Sequence, residues 1–341
     1  MRNILIGTLL AAALSLPAAV SAQPFSVVMV NGMQYEAALA SSAVAHKDIC
    51  SIPYGTSDTC VGGDIQDVEH RTEGAPTAFR PIADGSFWLL DTVNQKLKHF
   101  DRNGKLLEAL PYPGSGEKNF VHMTDLAVNP NGGFYLYNST DGVVDRVDAK
   151  GVSLVQIEGL ADSREVGVDS KGNLLVTNPV MQSLLRFNPE GELIEKYDGQ
   201  THLSPVVGAD DKPLGVKFDD RNAELVKAET ASPVAEVTLA KFPLDLPEDR
   251  KASYVSAKLI GADAKNHVYL ELVACDENGV VHRHRVLRLA GDGKVLAQAD
   301  LLMIPFLAPD MVRHLTVTPD GVLFGFRSDG TSWIPISYDL P

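Results

Sequence analysis

Residues 125–138 read DLAVNPNGGFYLYN, and this stretch decides the fold. A short apolar strand meets an Asn-Gly-Gly turn, and a second strand, 134–138, follows. Glycine suits such hairpin turns because it accepts positive φ without a Cβ clash. The chain continues as DRVDAKGVSL over 145–154, which predicts a third strand, another glycine turn and a fourth strand. One unit therefore predicts four antiparallel strands.

The same pattern recurs along the chain, in 81–107, 165–194, 258–295 and 314–326. A further unit at 203–249 keeps the turn but loses the aromatic residues, so it is placed mainly by spacing. The first turns lie about 47 residues apart, close to the repeat of four-stranded propeller blades. They fall near Asp84, Asn131, Lys171, Asp211, Lys265 and Asp320.

These repeats predict an all-β fold, a six-bladed β-propeller with four-stranded antiparallel blades over residues 76–341. The second strands are apolar on both faces, as expected for sheets covered on both sides by neighbouring sheets. The last unit holds three strands, 315–318, 322–327 and 332–338, so an N-terminal strand must close the ring. We expect Phe25–Val30, an apolar run, to supply it. The helix-prone residues 33–45 are expected to pack outside the ring.

The first 22 residues read MRNILIGTLLAAALSLPAAVSA and have the pattern of a signal peptide. Arg2 gives the positive start, 4–16 are apolar, and small residues precede a cleavage site after Ala22. The run is too short for a permanent membrane anchor. We expect a periplasmic or secreted protein without a transmembrane anchor. A short buried N-terminal helix is the alternative.

Composition limits the classes of partner. The chain has 341 residues, a net charge of −14 and 45% hydrophobic residues, which is ordinary for a globular protein and excludes a disordered, collagen-like or coiled-coil chain. The acidic balance argues against a nucleic-acid partner, because no basic excess exists to neutralise phosphates. A small polar ligand or an envelope protein is the expected partner.

The cysteines fit an oxidising compartment. Cys50 and Cys60 lie ten residues apart in a polar loop of the segment 23–75, and we expect a disulfide bridge between them. A metal-binding cysteine pair is the alternative. Cys275 follows the apolar run 268–273 and is expected to be a buried thiol, or else to bridge to another molecule.

The central channel of a propeller is lined by the first strand of each blade, which singles out charged residues near the start of those strands. Because both signs occur, they suit a polar ligand or a metal ion. The alternative is that they pair with each other across a water-filled channel. The candidate ligand-binding residues are Arg80, Asp125, Glu165, Lys258 and His314.

Two further sets of side chains carry candidate chemistry. Asp91, Asn138 and Asn178 follow matching second strands, where short polar side chains commonly bond the next turn. A hard cation such as calcium is the alternative. His282 and His284 share one face of a strand and suit a zinc pair, or else form a solvated basic edge.

The segments Asp91-Thr-Val-Asn-Gln95 and Asn138-Ser-Thr-Asp141 resemble the NHL repeat family, in which an aspartate follows the second strand. The resemblance covers 76–195 well, 254–296 moderately and 203–249 poorly. It implies a six-bladed β-propeller. It does not imply one function, because propellers host lyases, lactonases and binding platforms.

Three functions are open. The sequence lacks a Gly-x-Ser-x-Gly elbow, His-Glu-x-x-His, a P-loop and a Rossmann signature, so whether the protein is an enzyme is undecided. The first hypothesis is an exported ligand- or protein-binding module of the bacterial envelope, with contacts on the rim segments 40–74, 198–204 and 310–313. No cofactor is then required.

The second hypothesis follows from similarity to the gluconolactonase and senescence-marker-protein group. It implies a metal-dependent hydrolase with Ca²⁺ or Zn²⁺ held in the channel by Asp125, Glu165 and Asn178. The third follows from residues 81–91, which resemble the insect yellow and royal-jelly proteins, secreted propellers that bind small amines.

Overall fold

The structure is a computed structural model that describes residues 27–30, 33–63, 76–115, 121–200, 202–219, 221–244, 252–302 and 313–340. The expected signal peptide and its cleavage site lie outside the described residues. Within these ranges, no helix has the length and apolar character needed to cross a membrane.

Six antiparallel sheets form the blades of a propeller, as the repeat spacing predicts. The N-terminal segment contains β1 (Val27–Val30), β2 (Met33–Glu36), α1 (Ala37–Ser42), β3 (His46–Asp48) and β4 (Ile52–Pro53). Blade 1 contains β5 (Ala78–Pro81), β6 (Phe87–Asp91), β7 (Lys96–Phe100) and β8 (Leu106–Pro111). Blade 2 contains β9 (Met123–Val128), β10 (Phe134–Asn138), β11 (Val143–Val147) and β12 (Ser153–Ile157). Blade 3 contains β13 (Val166–Val168), β14 (Leu174–Asn178), β15 (Ser183–Phe187) and β16 (Leu193–Asp198).

The second half of the ring has longer strands. Blade 4 contains β17 (Leu203–Val207), β18 (Pro213–Phe218), β19 (Asn222–Ala231) and β20 (Val234–Pro243), which confirms the unit placed by spacing. Blade 5 contains β21 (Ala252–Ala262), β22 (Val268–Asp276), β23 (Val280–Leu289) and β24 (Val295–Asp300). Blade 6 contains β25 (Thr316–Val317), β26 (Leu323–Ser328) and β27 (Ser332–Tyr338).

The first strands form a closed circle. Each of β5, β9, β13, β17 and β21 contacts the first strand of the next blade, and β25 contacts β5. The second strands β6 and β10 are buried at every position, as their two apolar faces predict. Apolar side chains of neighbouring blades meet in these layers and form the core.

The turns between first and second strands explain the sequence repeat. Gly133 in blade 2 has φ 79°, and a Cβ there would lie 2.1 Å from the carbonyl oxygen of Val147. Blades 4 and 5 use other residues at positive φ, Asp211 at 59° and Asn266 at 61°. Asp and Asn tolerate this conformation better than most side chains do.

The ring is closed by an N-terminal strand, but the expectation that Phe25–Val30 supplies it is wrong. β3 and β4 pair antiparallel with β27, in the register Ile336↔Asp48 and Trp333↔Ile52. The described part of the expected segment, β1, pairs with β2. β2 in turn continues blade 5 as a parallel neighbour of β23.

Packing explains why β4 closes the ring. Ile52 is almost fully buried in the cluster between blades 6 and 1. Its paired residue Trp333 packs on Phe79, Phe87 and Phe326, with ring centroids 5.7 to 5.9 Å apart. The strand β3 is exposed and polar, so hydrophobic alternation gives no sign of it.

The helix expected over 33–45 forms only at Ala37–Ser42 and lies outside the ring, against β23. Tyr35 and Leu39 pack on Val281 in a small separate cluster. The N-terminal hairpin and helix therefore extend blade 5 rather than closing blade 6.

All three cysteines are free thiols in the structure, so the expected Cys50–Cys60 bridge is not formed there. The Cys60 sulfur instead accepts a hydrogen bond from Ser57 Oγ at 3.1 Å. Burial raises the pKa of Cys50 to about 12, which suppresses the reactive thiolate at neutral pH. Burial also raises the pKa of the partly buried Cys275.

Replacing Ile52 tests which segment closes the ring. We expect Ile52→Ala to lower the free energy of unfolding by roughly 2–4 kcal/mol, because it leaves a cavity beside Trp333. Urea denaturation measures this change. Met29→Ala in β1, a side chain that is 63% exposed, is the matched control and should cost less than about 0.5 kcal/mol. Equal losses in the two variants would contradict the closure described here.

Candidate functional site

A buried carboxylate lies at the centre of the channel. Asp125 Oδ1 is 2.6 Å from Arg80 Nη2, and Oδ2 is 3.4 Å from Arg313 Nη2. The backbone amides of Leu126 and Val166 donate to the same carboxylate, each at 2.9 Å. Asp125 is fully buried, so its charge is balanced by two arginines and its oxygens are occupied by protein donors.

The ion pairs continue across the channel. Arg313 Nη2 also donates to the carbonyl oxygen of Val166 at 2.6 Å and lies 3.9 Å from Glu165 Oε2. Glu165 Oε1 is 2.8 Å from Lys258 Nζ. Four of the five channel residues named from the sequence therefore belong to one chain of charges, which matches the interpretation that they pair with each other.

Arg313 links Asp125 to Glu165, and it is not among the candidate ligand-binding residues named from the sequence. It immediately precedes His314, which is in that set, and the sequence places it only in the rim segment 310–313. Its position before the short strand β25 lets a long side chain reach back to Asp125. In the sequence, the one feature that points to Arg313 as a channel residue is its position next to His314.

The fifth residue, His314, belongs to a second buried group. Its Nε2 is 2.8 Å from Glu271 Oε1, and the same oxygen is 2.9 Å from His284 Nε2. Burial alone would raise the pKa of Glu271. The positive charge of His314 and the hydrogen bonds from both imidazoles outweigh burial and hold that pKa well below its ordinary value.

The structure corrects both interpretations of the His282 and His284 pair. Neither imidazole lies on a solvated edge, since both are buried. Each has its own carboxylate instead of a shared metal: His282 Nε2 is 3.0 Å from Asp276 Oδ2, and His284 contacts Glu271. Because the carboxylates lie on the neighbouring strand β22, spacing within β23 could not reveal them.

The polar residues after the second strands hydrogen-bond the following turns, which is the first of the two roles expected for them. Asn138 Oδ1 accepts the amides of Thr140 and Asp141, and Asn178 Oδ1 accepts the amide of Met181. Asp91 accepts the amide of Gly62 at 3.0 Å, which anchors the N-terminal segment to blade 1. Its charge is balanced by the fully buried Lys98 at 2.8 Å.

The proposed metal set does not come together as a donor cage. Asp125 is saturated by two arginines and two amides, Glu165 pairs with Lys258, and the Asn178 amide is used in its turn and on the carbonyl oxygen of Ala161. Among the described residues, no group of three or more His, Cys, Asp or Glu side chains is arranged to hold a metal ion. This donor set does not fit Ca²⁺ or Zn²⁺.

A cavity of about 540 Å³ opens at one end of the channel, and we call it the ring cavity. Strand ends from all six blades line it, so it exists only because the ring is closed. Arg80 and Arg313 line it and contribute its cationic groups. Apolar lining residues from the blades include Val128, Pro130, Val168, Val207, Ala262 and Val317.

Comparison with known proteins identifies no family for this chain. No protein-family pattern matches the chain, and no curated protein matches its sequence. Among solved structures, it is similar to virginiamycin B lyase from Staphylococcus aureus, with a TM-score of 0.46, 10% identity and coverage of 80% of this chain and 97% of that one.

Two further structures are similar to the same extent. Hydrazine synthase from Kuenenia stuttgartiensis gives a TM-score of 0.49 at 15% identity, covering 77% of this chain and 76% of that one. A DUF4221 family member from Bacteroides vulgatus gives 0.49 at 9% identity, covering 88% and 99%. All three TM-scores are below 0.5, so these likenesses carry no conclusion about function.

The depressed pKa of Glu271 predicts how stability responds to acid. The folded carboxyl binds its proton at lower pH than the unfolded one. Its contribution to the free energy of unfolding is therefore present above about pH 4.3 and is lost as pH falls below that value. We expect Glu271→Gln to cost about 2 kcal/mol near neutral pH, through the lost charge-assisted hydrogen bonds. The difference from wild type should shrink in acid.

Urea denaturation at a series of pH values measures this difference. Glu108→Gln, which changes an exposed carboxylate in β8, is the matched control and should track the wild type throughout. If the loss in free energy of unfolding caused by Glu271→Gln stays constant down to pH ~3, the lowered pKa of Glu271 is contradicted.

Proposed function

We propose that the protein is an exported, non-catalytic binding module of the bacterial envelope, and that its ligand occupies the ring cavity. The observation that carries this proposal is the cavity of about 540 Å³ to which every blade contributes. Its volume lies within the range of about 300–1,000 Å³ that is common for small-molecule sites. The signal-peptide pattern of residues 1–22 supports the placement in the envelope.

The lining indicates the class of ligand. Most of its wall is apolar, and Arg80 and Arg313 supply two guanidinium groups. The carboxylates of Asp169 and Asp263 also line the cavity but accept turn amides, those of Lys171 and Lys265 among them. A small molecule with an apolar body and a carboxylate matches this combination.

The arginines have capacity for an anion. They share the single carboxylate of Asp125, and Glu165, near Arg313, is already paired with Lys258. The buried Nε of Arg313 has no hydrogen-bond partner in the part of the chain that the structure describes. A buried donor without an acceptor is unfavourable, so an anionic ligand that reaches it gains a hydrogen bond.

No observation favours the hydrolase over the binding module. The lactonase-like mechanism requires a cation bound by Asp125 and Glu165, and both of these carboxylates are held by basic side chains. The NHL-like pattern supports a propeller of that general type, and it is compatible with a binding function.

Binding of octanoate tests the ring cavity. We expect isothermal titration calorimetry to detect octanoate and to give a much weaker signal for octanol, which has the same chain without the charge. Val128→Glu adds a negative charge to a lining residue that is 41% exposed, so it should weaken octanoate binding about tenfold without unfolding the ring. The uncharged Val128→Gln is the matched control.

Two results would contradict this site. One is equal affinity for octanoate and octanol, which would remove the role of the arginines. The other is an equal loss of octanoate affinity in Val128→Glu and Val128→Gln, since the added charge would then have no effect beyond the change in side-chain shape.

Export has its own test. We expect the full chain, expressed in a bacterium with an envelope, to be recovered from the periplasm or the medium with Gln23 as its first residue. Mass spectrometry of the intact protein measures the cleavage. Recovery of the uncleaved chain from the cytoplasm would contradict the proposed location.

A further inference from the structure

A second cavity, of about 360 Å³, lies at the other end of the channel, between blades 3, 4 and 5. We propose that this blade 3–5 cavity is a separate binding site for a small aromatic carboxylate, with Phe218 stacking on the ring and Arg164 binding the anion. The proposal does not depend on occupancy of the ring cavity.

The two cavities lie at opposite ends of the same strands. Arg164 and Glu165 precede β13 and line the blade 3–5 cavity, whereas residues 166–170 line the ring cavity. In blade 4, residues 202–204 line the former and 205–207 the latter. The two cavities share no lining residue, and Arg313 of the ring cavity lies 3.9 Å from Glu165 of the blade 3–5 cavity.

Phe218 is unusual among the phenylalanines of this protein. Nine phenylalanines fall in the described residues; eight are buried, and Phe218 is 50% exposed. It is the last residue of β18 and lines the blade 3–5 cavity together with Pro179 and Leu259. An exposed aromatic face beside apolar side chains provides a surface on which a planar ring can stack.

Arg164 supplies a charge that neighbouring groups do not balance. Its backbone amide donates to the Thr177 carbonyl oxygen, and its exposed guanidinium has no ion-pair partner within the described ranges. The acidic groups in and beside this cavity have basic partners. Glu165 is 2.8 Å from Lys258, and Glu236 pairs with Lys217.

A hydroxyl group completes the polar side of the cavity. Thr177 Oγ1 accepts the amide of Glu165 at 3.1 Å, which leaves its own proton available for donation. Together with the Arg164 guanidinium, it offers two kinds of donor to a carboxylate. Because arginine binds carboxylates through two parallel N–H groups, an anion is preferred over a neutral ligand of the same shape.

Three probes of matched size test the proposal: benzoate, benzamide, which lacks the charge, and cyclohexanecarboxylate, which lacks the aromatic ring. Dissociation constants are measured by ligand-observed NMR titration of the full-length protein. We expect benzoate to bind at least about fivefold more tightly than either of the others. Equal affinity for benzoate and benzamide would overturn the role of Arg164.

Variants then locate the binding. Arg164→Gln should weaken benzoate binding about tenfold, and Phe218→Ala about threefold to tenfold. Both side chains are exposed, so thermal unfolding should show intact folding. The matched controls are Arg102→Gln and Leu154→Ala, which change an exposed guanidinium and an exposed apolar side chain on other blades.

The Val128→Glu variant separates the two sites. If benzoate occupies the blade 3–5 cavity, Val128→Glu leaves the dissociation constant of benzoate unchanged and weakens the binding of octanoate. Loss of benzoate binding in Val128→Glu, with no loss in Arg164→Gln or Phe218→Ala, would place benzoate in the ring cavity and overturn this proposal alone.

Discussion

The pairing of β27 with β3 and β4 is the contact on which the rest of the molecule depends, because it joins residues 46–53 to 332–338 and turns a row of sheets into a ring. The ring cavity takes its lining from every blade. Asp125 in blade 2 meets Arg80 from blade 1 and the Val166 amide from blade 3. These contacts require blades held at fixed angles, which closure provides.

Buried charge, in the channel and within the blades, is organised around carboxylates. Asp125, Glu271 and Asp91 are each buried, and each is balanced by basic side chains or imidazoles. Removing one partner from such a group leaves an uncompensated charge, which is far more costly than loss of a surface ion pair. The same arginines that neutralise Asp125 also line the ring cavity, so they hold the blades in register and present positive charge to a ligand.

Local signals in the sequence identify the blades and fail for contacts between distant segments. Each first turn needs a residue that tolerates positive φ, and that need repeats at nearly even spacing, so the blade number and even the degenerate blade 4 could be predicted. The closing strand could not be predicted, because β3 is polar and exposed and its partner β27 lies at the other end of the chain. The apolar β1 has the better strand pattern, yet it extends blade 5.

The same distinction holds for the site. The propeller prediction places Arg80, Asp125, Glu165 and Lys258 in the channel, because the first strands of a propeller converge on its axis. Arg313 was assigned only to the rim, since the length of its side chain, rather than the position of its backbone, brings it to Asp125. Glu271 was missed because a carboxylate in the middle of an apolar second strand gives no sign of the two imidazoles that reach it from β23 and blade 6.

The order of the blades along the chain also determines when the molecule can finish folding. In the N-terminal segment, β2 pairs with β23 and β4 pairs with β27, each more than 200 residues later in the chain. During synthesis the edges of these strands therefore lack their sheet partners while blades 1 to 4 emerge, and an unpaired strand edge can pair with other chains. A chain that stops before Ser332 lacks the partner of β3 and β4, so premature termination yields an open, aggregation-prone array rather than a smaller working protein.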